Sequence, residues 1–219
     1  MSDSADRPAR DRRGPRPPQQ ARSRALLAKV LTAAEELFAE GTEDEVTMAA
    51  VAERAAVSIG GVYRRFDSKE QLLDAVRTRI LDRLDTDLAT ALQADAPNLA
   101  VIIDVYVEAV VRNVGTAANV FRQYVAQTRT ELQPHDPVVN TLATTQRLLL
   151  DAAARHLDEV QRPDPITALS VVARLILGAC VQRVLALRHS PDGLTWSQWS
   201  GEIADMAILY LTHPRPSRH

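Results

Sequence analysis

The fold of this chain is decided by the stretch VSIGGVYRRFDSKEQL, residues 57–72. Its first half has the pattern of a β-hairpin, because two β-prone runs are joined by Gly60 and Gly61. The segments on both sides instead place apolar residues three and four positions apart, which is typical of helices. Three interpretations are open: a turn between strands, a glycine loop that cradles phosphate, or a short helix that contains glycines.

The rest of the sequence favours the helix. Every long element has the helical period, and no second convincing strand is present. A hairpin at Gly60 and Gly61 would be an isolated two-stranded ribbon, which is marginally stable in water. The two glycines also fit neither the P-loop nor the dinucleotide-binding pattern. Aromatic residues, which have a lower helix propensity than alanine or leucine, make up only 4% of the chain. The sequence therefore predicts an all-α protein of about nine helices.

Residues 47–66 are predicted to form two short helices joined by a tight turn. Thr47 and Ser58 are of the residue types that cap helix N-termini, and each stands at the start of one helix. Ala52 is small where the second helix must cross close to the first. Two helices in this arrangement form a helix-turn-helix, which places its second helix in the major groove of DNA.

This region resembles the N-terminal domain of the TetR family of bacterial transcription regulators. The resemblance covers roughly residues 23–73, and beyond them only the helical layout and the length match. It implies a three-helix DNA-binding domain followed by a helical domain that dimerises and often binds a small molecule. The matching residues are Thr47, Val51, Ala52, Ala55, Ala56, Val57, Ser58, Gly60, Tyr63, Phe66, Ser68, Lys69, Glu70 and Leu72.

The resemblance also implies which residues contact DNA. Tyr63, Lys69 and Thr47 would contact phosphates, which position the protein without carrying sequence information. Either Arg64 or Arg65 could pair with a guanine. The expected DNA-binding residues are Thr47, Ser58, Ile59, Gly60, Gly61, Tyr63, Arg64, Arg65 and Lys69, with Arg22 and Arg24 from the preceding basic segment.

Two positions depart from the family pattern. Ala56 stands in the turn where glycine is usual, and a positive φ there would cost about 1–2 kcal/mol. Gly61 replaces a small side chain, and a glycine inside a helix costs roughly 1 kcal/mol relative to alanine. A physical reason for Gly61 would be close approach of its backbone to a base step or a thymine methyl group.

Charge is distributed unevenly along the chain. The formal net charge is −2, yet residues 7–29 hold eight basic side chains and one acidic side chain. Residues 1–21 are rich in proline and poor in apolar residues, so we expect a disordered basic arm. It is either a solvated tail or an arm that binds DNA.

Cysteine content and apolar segments indicate where the protein acts. Cys180 is the single cysteine, so no intramolecular disulfide can form. The N-terminal residues show no apolar segment of signal-peptide length, and no stretch approaches 18 uninterrupted apolar residues. We therefore expect a cytoplasmic protein.

The chain is expected to divide into the arm (residues 1–21), the helix-turn-helix domain (22–68), an effector-binding and dimerisation domain (69–213) and a tail (214–219). The last two predicted helices have apolar seams that could form a four-helix bundle with a second copy. The same seams could instead close the core of one protomer. The seam residues are Leu169, Val172, Ile176, Ala179, Arg183, Trp199, Ile203, Met206 and Tyr210.

Polar residues on apolar helices are candidates for an effector pocket. Tyr106, Asn113, Tyr124 and Gln127 could orient a small molecule, or they could be hydrogen-bonded core residues. The five histidines have no metal-ligand spacing, and no catalytic motif is present, so we expect no metal, no cofactor and no enzymatic activity.

The sequence therefore predicts a homodimeric, sequence-specific DNA-binding regulator. We expect a repressor that a small-molecule effector releases from a near-palindromic operator. An activator with the same DNA-binding domain would have the same sequence pattern. An interaction protein with a structural helix-turn-helix and a small helical enzyme are also compatible with an all-α chain.

Overall fold

The computed structural model describes residues 19–41, 46–127, 136–186 and 191–214. Within these ranges the chain forms nine α-helices, a single-turn 3-10 helix at Leu157–Glu159 and no strand, which confirms the predicted all-α fold. The helices are α1 (Gln19–Glu40), α2 (Met48–Arg54), α3 (Ile59–Tyr63), α4 (Lys69–Ala91), α5 (Leu99–Thr116), α6 (Ala118–Gln127), α7 (Pro137–Ala153), α8 (Pro165–Ala186) and α9 (Trp196–Thr212).

Most helices begin at a short polar side chain that accepts a hydrogen bond from the first turn. Thr47 caps α2, Ser58 caps α3 and Ser68 caps α4. Thr195 starts α9 with a reciprocal capping box, in which Gln198 accepts from the Thr195 backbone. These local contacts set the boundaries of the short helices, which could not form alone in water.

Two apolar cores lie at opposite ends of α4. The first joins α1, α2 and α3 to the start of α4, and it continues along α4 as far as Ile80. The second surrounds the buried helix α5 and includes α7, α8 and α9. The predicted division at residues 68 and 69 therefore falls before three turns of α4 that still belong to the first core.

Helix α6 connects the first core to the second through hydrogen bonds to the C-terminal end of α1. The side-chain amide of Gln123 donates to the carbonyl oxygens of Phe38 and Gly41, at 2.9 and 3.2 Å. The amide of Asn119 donates to the carbonyl oxygen of Ala39 at 2.8 Å. Carbonyls at a helix C-terminus have no partner within the helix, so α6 supplies the partners that the end of α1 requires.

Helix α8 is the one helix of the described ranges that has the length and composition of a membrane span. Half of its apolar segment is buried inside the protein, and the helix packs on α5 and α7. A core helix has the same composition, so the second core is sufficient to explain α8.

Candidate nucleic-acid interface

The helix-turn-helix is closed by the side chains that the two short helices share. Val51 of α2 and Val62 of α3 are fully buried, and Ala52 lies at the crossing with 4% of its surface exposed. The Val57 amide donates to the Ala52 carbonyl at 3.0 Å, which fixes the turn. Ala56 has a φ of 52°, which lies in the left-handed region. The backbone strain expected for a positive φ at this position is therefore present.

Helix α3 has one buried side and one exposed side. Gly61 and Val62 face the protein. Ile59 and Tyr63 lie one turn apart on the same face of the helix, and they are 47% and 50% exposed. Gly60 and Arg64 are exposed as well. An exposed isoleucine and an exposed tyrosine on a five-residue helix form a contact surface rather than part of the core.

The two glycines of α3 differ in position. Gly61 is buried, its amide donates to the Ser58 hydroxyl at 3.2 Å, and an added Cβ would lie 3.2 Å from the same oxygen. Gly61 therefore has a structural reason within the protein, because it leaves room for the helix cap, and its expected approach to DNA stays a prediction. The glycine that faces outward is Gly60, where an added Cβ would meet only the Arg64 guanidinium, at 3.9 Å.

The two arginines of the motif have different environments. Arg64 is exposed, whereas Arg65 is half-buried and donates to the carbonyl and hydroxyl oxygens of Ser23, at 2.8 and 2.7 Å. Arg65 therefore joins the end of α3 to the start of α1. Sequence reasoning missed this contact, because 42 residues separate the partners and neither residue type indicates a pairing.

The expected phosphate-contacting residues lie on segments that adjoin α3. Thr47 is exposed and accepts from the Ala50 amide at 3.1 Å, which leaves its hydroxyl proton available to donate. Lys69 is the first residue of α4, directly after the cap of that helix. Arg22 and Arg24 are exposed on the first turns of α1, on either side of Ser23. The contact of Arg65 with Ser23 places these arginines beside the end of α3.

Of the four predicted effector-binding residues, two lie in the interior. Tyr106 is fully buried, and the side-chain amide of Asn113 donates to the Ala109 carbonyl at 3.0 Å. Burial raises the pKa of Tyr106 to about 12, and the nearby Thr145 hydroxyl offsets part of that rise. Tyr106 is therefore neutral and can act as a hydrogen-bond donor inside the core.

The other two effector candidates lie elsewhere. Tyr124 of α6 is half-buried, and the Arg77 guanidinium carbon lies 3.7 Å from its ring centre. The Gln127 backbone ends α6, and its side chain lies outside the described residues. Tyr106 and Tyr124 belong to different cores, so the four residues do not line one site.

The predicted dimer residues divide between the interior and the surface. Leu169, Val172, Ile176 and Arg183 are buried inside the protomer, and Arg183 donates to both carboxylate oxygens of Asp192, at 2.6 and 3.2 Å. Ala179, Trp199 and Ile203 are half-buried, whereas Met206 and Tyr210 are exposed.

Two residues that the seam did not include, Val171 and Leu175, are exposed on α8. We call the apolar groove between α8 and α9 the outer groove. It is lined by Val171, Val172, Leu175, Ile176, Ala179, Ile203, Met206, Ala207 and Tyr210.

Within the described ranges, no group of three or more His, Cys, Asp or Glu side chains is arranged to hold a metal ion. Of the histidines in these ranges, His156 lies 2.7 Å from a Glu159 carboxylate oxygen and 3.2 Å from the Ala96 carbonyl. Its two ring nitrogens are thus both engaged by the protein itself. Cys180 is buried, and burial raises the pKa of its thiol to about 12, so the thiol stays protonated.

Comparison with known proteins agrees with this geometry. Residues 30–76 match the family model described as "Bacterial regulatory proteins, tetR family". The HTH-type transcriptional repressor Rv3405c of Mycobacterium tuberculosis is 39% identical over 72 residues, which are 33% of this chain and 36% of that protein. The chain thus matches about a third of the length of this relative.

Solved structures share the fold along most of the chain. A TetR transcriptional regulator from Rhodococcus sp. RHA1 superposes with a TM-score of 0.55 and 24% identity, over 87% of this chain and 97% of that one. The regulator FadR from Bacillus subtilis, solved in complex with stearoyl-CoA, superposes with a TM-score of 0.61 and 15% identity, over 84% and 99%.

The motif residues, the geometry of the short helices and the family match at residues 30–76 point to one conclusion. Residues 30–76 thus match the TetR family of bacterial regulatory proteins, and the chain shares its fold with solved TetR-family structures.

Proposed function

We propose that this protein is a homodimeric, sequence-specific DNA-binding regulator of transcription that acts as a repressor and responds to a small-molecule effector. The observation that carries the proposal is the exposed side of α3, where Ile59, Gly60, Tyr63 and Arg64 face away from the core. Hydroxyl and cationic groups at Thr47, Lys69, Arg22 and Arg24 flank this side. Such groups hold a protein on the phosphates while the helix between them contacts base edges.

Dimerisation would occur through the outer groove. Leu175 and Met206 are 65% and 63% exposed at this groove, and exposed apolar side chains that lie together mark sites of protein association. Two copies of α8 and α9 would form a four-helix bundle with the polar faces outward. The two-fold axis would place two copies of α3 about one DNA turn apart, which suits a near-palindromic operator.

An effector would act through the second core. The hydroxyl of Tyr106 is buried in this core, where it would donate a hydrogen bond to a polar atom of a bound ligand. FadR, which has the same fold, was solved with stearoyl-CoA. A ligand in this core would change DNA affinity only by its different affinities for the two conformations of the dimer. Such a regulator would act in the cytoplasm.

DNA binding is the test of this proposal. The full-length protein would be footprinted on the DNA that flanks its own gene, at several salt concentrations. We expect a protected near-palindrome whose affinity falls steeply with salt, because phosphate contacts release counterions. Tyr63→Ala and Lys69→Ala should each weaken binding about fivefold or more on every DNA sequence, since each removes a phosphate contact.

Arg112→Ala is the matched control, because Arg112 is exposed on α5 and pairs with Glu108 at 3.1 Å, away from the helix-turn-helix. Binding by this variant should equal that of the wild type. If neither Tyr63→Ala nor Lys69→Ala changed the affinity, the phosphate roles would be wrong. A wild-type protein with no sequence preference would leave the helix-turn-helix a structural motif.

A further inference from the structure

The exposed side of α3 offers few groups for base recognition. The Ser58 hydroxyl accepts the Gly61 amide, and Arg65 is bound to Ser23. Tyr63 lies at the last residue of α3, next to the residues that flank the helix. The exposed side chains of Ile59 and Arg64 remain, and the Arg64 guanidinium reaches back toward Gly60 and Gly61.

The glycines determine where the Arg64 side chain lies. Its two terminal nitrogens, Nη1 and Nη2, would be 3.9 and 3.6 Å from Cβ atoms added at Gly60 and Gly61. The guanidinium group therefore folds back over the first turn of α3, as helical side chains four residues along generally do. The guanidinium group therefore lies close to the two residues that directly follow Ile59.

This arrangement brings two different chemistries together. In the major groove, the thymine C5-methyl group is the apolar feature that a side chain can contact, and the O6 and N7 atoms of guanine are the acceptors that an arginine fork matches. Ile59 is an exposed, branched apolar side chain without a polar atom. The Arg64 guanidinium lies near Gly60 and Gly61, one and two residues after Ile59. This is a rise of about 1.5–3 Å along the helix, which is less than one base-pair step of about 3.4 Å.

We propose that Ile59 and Arg64 recognise a thymine and a guanine that lie within two base pairs of each other in each operator half-site. This inference rests on the proposed function, and it names the bases on which that function depends. Gly60 takes part because it lets the helix backbone approach the groove at this point.

Modified DNA tests the inference without changing the protein. The full-length protein would first be used to select binding duplexes from a random-sequence pool, and we expect the thymine and guanine pair to be enriched. Replacing that thymine by deoxyuridine removes only the methyl group and should weaken binding about fourfold, because one apolar carbon is no longer buried. Replacing the guanine by 7-deazaguanine removes the N7 acceptor and should weaken binding about tenfold.

Variants then connect each base to its residue. Ile59→Ala should bind thymine and deoxyuridine DNA equally, and Arg64→Ala should lose the preference for guanine over 7-deazaguanine. Val101→Ala and Arg112→Ala are matched controls, because these side chains are exposed on α5, and both should retain the wild-type ratios. Circular dichroism would verify that every variant is folded.

The outcomes separate the two levels of the proposal. If the wild type enriched no sequence at all, the proposed function and the inference would both fail. Enriched sites without a thymine and guanine pair, or a wild type indifferent to both modified bases, would overturn the inference alone. A thymine preference that persisted in Ile59→Ala would also overturn it.

Discussion

At the residue scale, Ala56 carries backbone strain that glycine would not. Its φ of 52° lies in the left-handed region, where a Cβ atom costs about 1–2 kcal/mol. The rest of the turn holds this conformation, since the Ala56 amide donates to the Glu53 carbonyl and the Val57 amide to the Ala52 carbonyl, both at 3.0 Å. The helix-turn-helix therefore keeps its geometry in spite of one unfavourable backbone angle.

Ala56→Gly should stabilise the protein by about 0.5–1 kcal/mol. Relief of the left-handed strain exceeds the greater entropy that glycine has in the unfolded chain. Urea unfolding followed by circular dichroism would measure the difference. Ala143→Gly, at an exposed position within α7, should instead destabilise by about 1 kcal/mol. Destabilisation by both changes would show that the turn is not strained.

Gly60→Ala should separate stability from DNA binding. Alanine favours a helix by roughly 1 kcal/mol over glycine, and the added Cβ would meet only the Arg64 guanidinium, at 3.9 Å. We expect a higher melting temperature together with operator affinity lowered at least fivefold, because the methyl group separates the helix from the groove. Gly201→Ala, an open position on α9, should show the stabilisation alone. Equal operator affinities in wild type and Gly60→Ala would show that the backbone does not approach DNA here.

At the element scale, a side-chain network centred on Arg77 of α4 connects α4 with α6 and α7. Arg77 of α4 is buried, contacts Asp136 at 3.0 Å at the start of α7, and stacks on Tyr124 of α6. Asp136 is also the N-cap of α7 and accepts from the Val138 amide at 2.9 Å. One buried guanidinium group therefore fixes the positions of α6 and α7 relative to the helix that leaves the DNA-binding domain.

Asp136→Asn should destabilise the protein by about 2–4 kcal/mol, because it leaves the Arg77 charge buried and poorly paired while it preserves the cap. Arg77→Met combined with Asp136→Asn should cost less than the sum of the two single changes. Chemical denaturation of the four proteins gives this coupling. Asp151→Asn, which breaks an exposed pair with Arg147, should cost under about 1 kcal/mol. Additive effects of Arg77→Met and Asp136→Asn would contradict the network.

Asp85, also on α4, predicts a dependence of stability on pH. Partial burial, and secondly the charge of Asp82, raise the pKa of Asp85 to about 6, and Arg147 opposes the rise. Because folding raises this pKa, protonated Asp85 is favoured in the folded state and stabilises it. This stabilisation is fully present below the pKa of the unfolded state and is lost as the pH rises through about 6. The full shift would correspond to about 3 kcal/mol, which solvent screening of this partly exposed group reduces to about 1 kcal/mol.

Asp85→Asn should therefore stabilise the protein by about 1 kcal/mol at pH 7 and change little at pH 4, since asparagine is neutral at both. Urea unfolding at the two pH values would measure this. Equal effects of Asp85→Asn at both pH values would show that the carboxylate is not destabilised by folding.

Local patterns predicted the elements better than they predicted the partners of those elements. Thr47, Ser58 and Ser68 indicated the starts of three helices, because a cap depends on residues only three positions away. The seam of α8 was ambiguous, since a helix that faces its own core and a helix that faces a second copy have the same spacing. Leu169 and Arg183 belong to the protomer interior, and only three-dimensional packing distinguishes them from exposed Leu175.

At the scale of the whole molecule, the outer groove would determine how two reading helices are spaced. Its exposed residues come from α8 and α9, far along the chain from the helix-turn-helix. Helix α6 lies between these two regions in the sequence, and its side-chain amides donate to carbonyl oxygens at the C-terminal end of α1. The spacing of the two DNA-binding domains thus depends on contacts in which α3 takes no part.

Leu175→Lys combined with Met206→Lys should yield a folded monomer. Both side chains are exposed on the protomer, so the charges disturb only an interface between copies. We expect dimer affinity to fall at least tenfold in analytical ultracentrifugation and operator binding to become non-specific. Val101→Lys, an exposed apolar position on α5, is the control and should remain dimeric. A double variant that still dimerised would move the interface elsewhere.

The packing of Arg183 has a practical consequence for spectroscopy. The chain has two tryptophans, Trp196 and Trp199, whose ring centres lie 5.8 Å apart edge to face. The guanidinium carbon of Arg183 lies 4.8 and 5.0 Å from the two rings. Intrinsic tryptophan fluorescence of the unmodified protein therefore arises entirely at the junction of α8 and α9. Its emission therefore reports on the packing of Arg183 against the start of α9, whereas Tyr63 of α3 does not contribute to it.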